Sequence, residues 1–205
     1  MIADALPDHA RGKPLEMWFQ DEARVGQQGT LTRIWAPRGS RPRAPRDTRD
    51  TWACIFGAVC PERGVTAALV MPHADTQAMN ARLAEISRTV AEDAHALLVL
   101  DGAGWHGAKA LKVPDDITLL PLPPYAPELN PIENVRAYLR ANRLAISVFE
   151  TCDDIVARCC DAWNVFANDI ATVRSITTRE YAKPVKDSGR WYHNTERRDR
   201  YSAGR

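Results

Sequence analysis

LPLPPYAPELNPIENVRAYLRANR, residues Leu120 to Arg143, is the stretch whose reading decides the fold. Pro121, Pro123, Pro124, Pro127 and Pro131 each lack an amide donor and fix φ, so its first half is expected to be extended and polyproline-like. At Asn130 the pattern changes. Asn is a good N-cap, Pro suits the first helical position, and an acid at the third suits the helix N-terminus. Ile132, Val135 and Leu139 then recur at helical spacing and give the helix an apolar face. Glu133, Arg136, Arg140 and Arg143 lie along another side. The proline track thus delivers one carboxylate, Glu133, to a fixed place at a helix start.

Glu133 has two readings. In one it closes a capping box on its own helix. In the other it is a metal ligand, which requires carboxylates from elsewhere in the chain. Two are in position: Asp21 ends the run Leu15-Glu16-Met17-Trp18-Phe19-Gln20, and Asp101 ends Ala96-Leu97-Leu98-Val99-Leu100. An acid at the end of a buried strand stands at a sheet edge, where sites form.

The phrase Pro124-Tyr125-Ala126-Pro127-Glu128-Leu129-Asn130-Pro131-Ile132-Glu133-Asn134 resembles the signature around the third catalytic acid of the mariner-superfamily DDE transposases. Trp18-Phe19-Gln20-Asp21-Glu22 and Leu100-Asp101-Gly102-Ala103-Gly104-Trp105-His106 resemble the phrases around the first two acids in the bacterial insertion-sequence branch. The resemblance runs in order from about Leu15 to Asn142. It implies a ribonuclease-H-like fold, a mixed β-sheet flanked by α-helices, with Asp21, Asp101 and Glu133 as catalytic and metal-binding residues. The activity implied is metal-dependent DNA strand cleavage and strand transfer. Pattern alone supports only an α/β class.

Three carboxylates brought together repel unless a cation compensates, and hard oxygen donors suit Mg²⁺ or Mn²⁺. Two ions ~3.5–4 Å apart would bridge a phosphodiester, so no covalent nucleophile is needed. Glu22 is the nearest rival to Asp21. Neighbouring strand residues point to opposite faces, and the resemblance selects Asp21. DNA contacts are expected from Arg136, Arg140 and Arg143 on the Glu133 helix, from Arg41 and Arg43 in the loop between Arg38 and Asp50, and from His106. Each has an ordinary alternative, a solvated arginine face or a hydrogen-bonded loop histidine. Trp105 reads as a core anchor before a stacking platform.

Composition bounds the rest. The 205 residues fit one domain with a core, and the net charge of +1 does not by itself announce a nucleic-acid binder. No run approaches the ~20 apolar residues of a membrane span. The five cysteines, Cys54, Cys60, Cys152, Cys159 and Cys160, contain no CxxC pair and read as reduced, mostly buried thiols of a cytoplasmic protein.

Along the chain, residues 1–14 read as a lead-in, 15–180 as the catalytic domain and 181–205 as a basic tail. Strands are expected at Leu15–Asp21, Leu31–Trp35, Thr51–Val59, Val65–Met71, His95–Leu100 and Ile117–Leu120, with a turn at Gly26 and Gly29. Helices are expected from Asp75 to about Asp93, over Trp105–Leu111, after Asn130, and from a Thr151–Asp154 capping box onward. The partner class is double-stranded DNA, element ends and target, bound by a homodimer. Only 14 residues precede Leu15, too few for a helix-turn-helix unit, so such a segment is expected from an upstream frame. The competing classes are a ribonuclease-H-like nuclease without strand transfer, an inactive DNA-binding transposase remnant and a carboxylate-pair glycosidase. The last leaves Asp21 and the basic helix unexplained.

Overall fold

Alternation along Leu15–Gly26 builds the central strand, β1, whose Met17, Phe19, Ala23 and Val25 join one apolar cluster and whose Trp18 joins another. The computed structural model describes residues 6–28, 35–40, 43, 47–101, 110–123, 126–145 and 147–182. On one side of β1 lie β2 (Trp52–Cys60) and then β3 (Val65–Met71), both antiparallel to their neighbours; on the other lie β4 (His95–Leu100) and β5 (Ile117–Pro121), both parallel. The sheet is therefore mixed, in the order β3-β2-β1-β4-β5.

Helices cover both faces. Helix α1 (Thr76–Thr89) packs Met79, Leu83 and Ile86 against Trp18, Leu98 and Leu100. Opposite it, α2 (Ile132–Leu139), α3 (Cys152–Ala167) and α4 (Ile170–Thr177) bury Val135, Trp163, Phe166 and Val173 with Phe19, Ile55 and Val99. β4 is buried at every position, as a parallel strand covered on both faces must be. The hairpin between β2 and β3 turns at Gly64, whose φ of +69° favours glycine and whose N–H donates to the Cys60 carbonyl at 2.8 Å.

Four expectations are corrected. β1 does not stop at Asp21 but runs to Gly26, because Asp21 to Gly26 all pair with β2; Gly26 is strand, not turn. Helix α1 ends at Thr89 rather than near Asp93. There Arg63 takes the Thr89 carbonyl and Glu16 takes the Ala91 N–H, and Val90 is extended. The proline track is not extended throughout. Pro121 closes edge strand β5, where a missing N–H costs nothing, and Pro127–Leu129 forms a 3₁₀ turn with Leu129 N–H on the Ala126 carbonyl. Helix α4, capped by the Asp169 carboxylate on Thr172 N–H, was not expected.

The Thr151–Asp154 capping box forms as expected. The expected strand at Leu31–Trp35 lies outside the described residues apart from Trp35, as does the helix at Trp105–Leu111 apart from its last two residues, which are not helical. Within the described lead-in, Ala10 is buried and His9 bonds the Asp115 carbonyl. All five cysteines are free thiols, and burial pushes Cys60 up to about 11 and Cys159 up to about 12. Among the described residues no helix is long and apolar enough to cross a membrane.

Candidate active site

Parallel pairing of β1 with β4 sets Phe19 opposite Val99. Two residues further along stand Asp21, which the pleat directs to the face that carries α2 and α3, and Asp101, just past the end of β4 and within 4.8 Å of the Asp21 carboxylate. On the other edge of β1, Asp21 pairs with Gly57 of β2. A Cβ at Gly57 would lie 2.5 and 2.6 Å from ring atoms of Trp163. Glycine is therefore what allows Trp163 of α3 to lie on the sheet beside Asp21.

Glu133 reaches the same face through Asn130. The Asn130 side chain donates to the backbone carbonyl of Gln20 at 2.8 Å, pinning the start of α2 to the residue before Asp21. Its oxygen is only a weak cap, 3.4 Å from Ile132 N, and no side-chain cap closes α2 at Pro131. The capping box that Glu133 could have formed is absent. Its carboxylate turns to Arg136 one turn on, at 2.9 Å.

Arg136 joins two of the three expected acids. Its Nη1 lies 2.7 Å from Asp21 Oδ2 and 2.9 Å from Glu133 Oε1. Burial pushes the Asp21 carboxyl up to about 6, with Glu133 adding to the rise, while Arg136 and the Glu22 N–H hold it back. Burial opposes the Arg136 charge, but Asp21 and Glu133 outweigh it and raise its pKa.

Asp21, Glu22 and Asp101 can each place one carboxylate oxygen within 4.8 Å of the others. Glu133 is outside that group, on the far side of Arg136 Nη1. Of the three expected acids, Asp21 and Asp101 share that group, while Asp21 and Glu133 are joined through the Arg136 guanidinium. Glu22 is the extra acid. It points to the α1 side, where Arg82 Nη1 meets it at 3.0 Å and Arg82 Nη2 donates to the Gly57 carbonyl at 3.0 Å. Burial pulls the Arg82 guanidinium down to about 10, while Glu22, Asp21 and Asp101 all pull the other way, so it remains a cation at neutral pH. Glu22 is committed to this buried pair on the opposite face.

The other expected residues divide. Arg140 and Arg143 are exposed, but Arg140–Leu144 is wound as a π-helix, whose wider turn takes Arg143 out of the row begun by Glu133 and Arg136. Arg43 is exposed in its loop; Arg41 and His106 lie outside the described residues. The loop is partly docked, since Arg49 binds Asp47, Glu150 and the Phe149 carbonyl. Arg82 went unnoticed in the sequence, although its signal was legible. It shares the apolar face of α1 with Met79, Leu83 and Ile86, where a charge needs a buried partner.

The family model described as DDE superfamily endonuclease matches residues 16–156. An uncharacterized protein, y4pE/y4sA of Sinorhizobium fredii (strain NBRC 101917 / NGR234), is 54% identical over 131 residues, covering 64% of this chain and 97% of that protein. Among solved structures, the Mos1 transposase paired-end complex with left transposon end aligns with a TM-score of 0.59 at 16% identity, over 79% of this chain and 51% of that one. The Mos1 strand transfer complex aligns at 0.57 and 14% identity, over 79% and 50%. The chain thus spans about half the length of the Mos1 chains it matches. At that identity the likeness concerns the fold, which is ribonuclease-H-like as expected. With its family model covering most of the chain, residues 16–156, the chain belongs to the DDE superfamily endonucleases.

Proposed function

We propose that this chain is the catalytic domain of a DNA transposase, which cuts and rejoins DNA strands with divalent metal held by Asp21, Asp101 and Glu133. The observation that carries the reading is the convergence of Asp21 and Asp101, from adjacent parallel strands, on the face to which Asn130 pins the Glu133 helix. The donor chemistry fits the ion: Asp21 and Asp101 bring hard carboxylate oxygens within 4.8 Å of each other, which suits Mg²⁺ or Mn²⁺, and Glu133 is tied to Asp21 through Arg136. Mos1 complexes with Mg and with Mn align on this fold with a TM-score of 0.55 each. A bound pair of such ions would supply Lewis acidity to the phosphodiester and ease ionisation of the attacking hydroxyl.

The chain's own residues have separable tasks. Asp21 and Asp101 supply ligand charge from the rigid sheet, and Glu133 supplies it from a helix that Asn130 holds in register. Trp163 and Phe19 exclude water beneath Asp21. Exposed Arg140, Arg143 and Arg43 would meet backbone phosphates, with Arg41 and His106 assigned to the same duty. Double-stranded DNA, bound by a homodimer in the cytoplasm, completes the reading.

The test is cleavage and strand transfer on duplex DNA with Mg²⁺ or Mn²⁺. Asp21→Asn, Asp101→Asn and Glu133→Gln should each lower cleavage by ~10³-fold or more, ~4 kcal/mol of barrier, with the fold retained. Full cleavage by a folded Glu133→Gln variant would reduce Glu133 to a partner of Arg136. Cleavage without any joined product would leave a nuclease.

A further inference from the structure

The same atom of Arg136 touches both Asp21 and Glu133, and this places a cation of the protein's own inside the acid cluster. Nη1 lies 2.7 Å from Oδ2 of Asp21 and 2.9 Å from Oε1 of Glu133. Mg²⁺ takes carboxylate oxygens at about 2.0–2.1 Å and tolerates little distortion. A cation held by these two carboxylates would compete with Nη1 for their oxygens. We propose that Arg136 is the resident counter-cation of the metal-free site, seated on the two carboxylates and displaced from them when the metal enters.

Exposure marks a seat that can be vacated. The Arg136 side chain is 29% exposed, so it has an exit to solvent, and Glu133 beside it is 44% exposed. Its buried Nε has no hydrogen-bond partner, which is equally true of Arg82, so access to solvent is what separates the two. Arg82 makes the contrast. It compensates Glu22 from the other face at 1% exposure, with Nη2 tied to the Gly57 carbonyl, and has no such exit. Of the two arginines at the cluster, Arg82 is fixed structure and Arg136 is exchangeable.

The electrostatic requirement is plain. Carboxylates drawn together in a partly buried site repel unless a cation lies between them. Arg136 supplies that charge through one nitrogen and holds Asp21 and Glu133 close together. The same charge opposes an incoming dication, so Arg136 positions the ligands at the expense of metal affinity. A purely structural arginine would have the opposite signature, since its loss would disorder the ligands and weaken metal binding.

This inference rests on the metal reading above, and a Mn²⁺ titration of the full chain separates the two. Free Mn²⁺ is followed by electron paramagnetic resonance for wild type, Asp21→Asn, Arg136→Gln and Arg136→Lys, with thermal melts verifying each fold. Wild type should bind Mn²⁺ and Asp21→Asn should not. Arg136→Gln should bind about tenfold more tightly than wild type, ~1.4 kcal/mol, and Arg136→Lys, which keeps the charge, should stay near wild type. In wild type itself, the Arg136 guanidinium NMR signals should change between metal-free and Mg²⁺-saturated protein, a readout that needs no variant to fold. Mn²⁺ affinity in Arg136→Gln equal to or weaker than wild type, or guanidinium signals indifferent to Mg²⁺, would overturn the inference while leaving the metal site standing. Absence of any Mn²⁺ binding that depends on Asp21 would bring down the metal reading, and this inference with it.

Discussion

Glu16 and Asp21 stand five residues apart on β1, both largely buried, yet their surroundings differ in kind. Glu16 accepts from Trp18 Nε1 at 2.9 Å, from Arg63 Nη1 at 3.0 and 3.2 Å and from Ala91 N–H at 3.2 Å. Those donors come from three parts of the chain and lock β1, the β2–β3 turn and the end of α1 together. Asp21 receives its own neighbour's N–H and one arginine nitrogen that it shares with Glu133. Asp101 and Glu22 add further acids to that end. The first end of the strand is saturated with donors; the second draws several carboxylates around Arg82 and Arg136. A structural acid is given every hydrogen bond it can accept, whereas an acid meant for a cation is left with room for one.

Exchanging the two ends is the strongest way to break that contrast. Glu16→Ala should destabilise the fold by about 2–4 kcal/mol, because it strands the Trp18 N–H, the Ala91 N–H and the Arg63 charge. Partial exposure of Arg63 keeps the figure below that of a fully buried pair. Metal affinity in the surviving folded protein should be unchanged. Urea denaturation with a parallel Mn²⁺ titration would show it. Equal damage from Glu16→Ala and Asp21→Asn in both assays would mean that the two acids do the same work.

Arg82→Met sharpens the comparison on the opposite face. It removes the buried guanidinium that meets Glu22 at 3.0 Å, and a loss of about 3 kcal/mol is expected. Adding Glu22→Gln should recover a large part of that loss, which a double-mutant cycle would measure. No recovery would indicate that Arg82 acts mainly through the Gly57 carbonyl.

Gly57→Ala tests the floor beside Asp21. With ring atoms of Trp163 at 2.5 and 2.6 Å from the new methyl, the ring must shift, at a cost of about 1–3 kcal/mol. Tryptophan fluorescence should change together with stability. An unperturbed spectrum and melting point would show that α3 can lift without consequence for the site.

The smallest expected effect concerns the exposed arginines. Arg140→Ala should weaken DNA binding equally on all sequences and reduce the slope of log K against log salt by ~0.9 if one phosphate contact is lost. Stability should stay within ~0.5 kcal/mol, as for an exposed residue without a special contact. An unchanged slope would mark Arg140 as merely solvated.

Much of this molecule was legible before any coordinates. Alternation and β-branched or aromatic content located five strands, Asp75 and Thr151 announced their helices, and the ends of two apolar runs together with a proline-to-helix switch marked Asp21, Asp101 and Glu133. Those signals are local, since they depend on backbone propensity and on which face a side chain takes. Three things lay beyond them: that Asp21 continues inside a longer strand, that Arg136 sits between acids instead of facing outward, and that Asn130 bonds Gln20 instead of capping firmly.

By itself the sequence determined most element types, an α/β class and the acids that could meet, because periodicity and caps are properties of neighbouring residues, while the mixed sheet flanked by helices was implied by the family resemblance. Tertiary structure alone decided which cation answers which carboxylate. Asp21 is 115 residues from Arg136, and Glu22 is 60 from Arg82. Those pairs exist only once the parallel register of β1 with β4 and the packing of α1 and α2 on opposite faces have brought distant charges within a few ångströms, where burial makes each charge demand a partner.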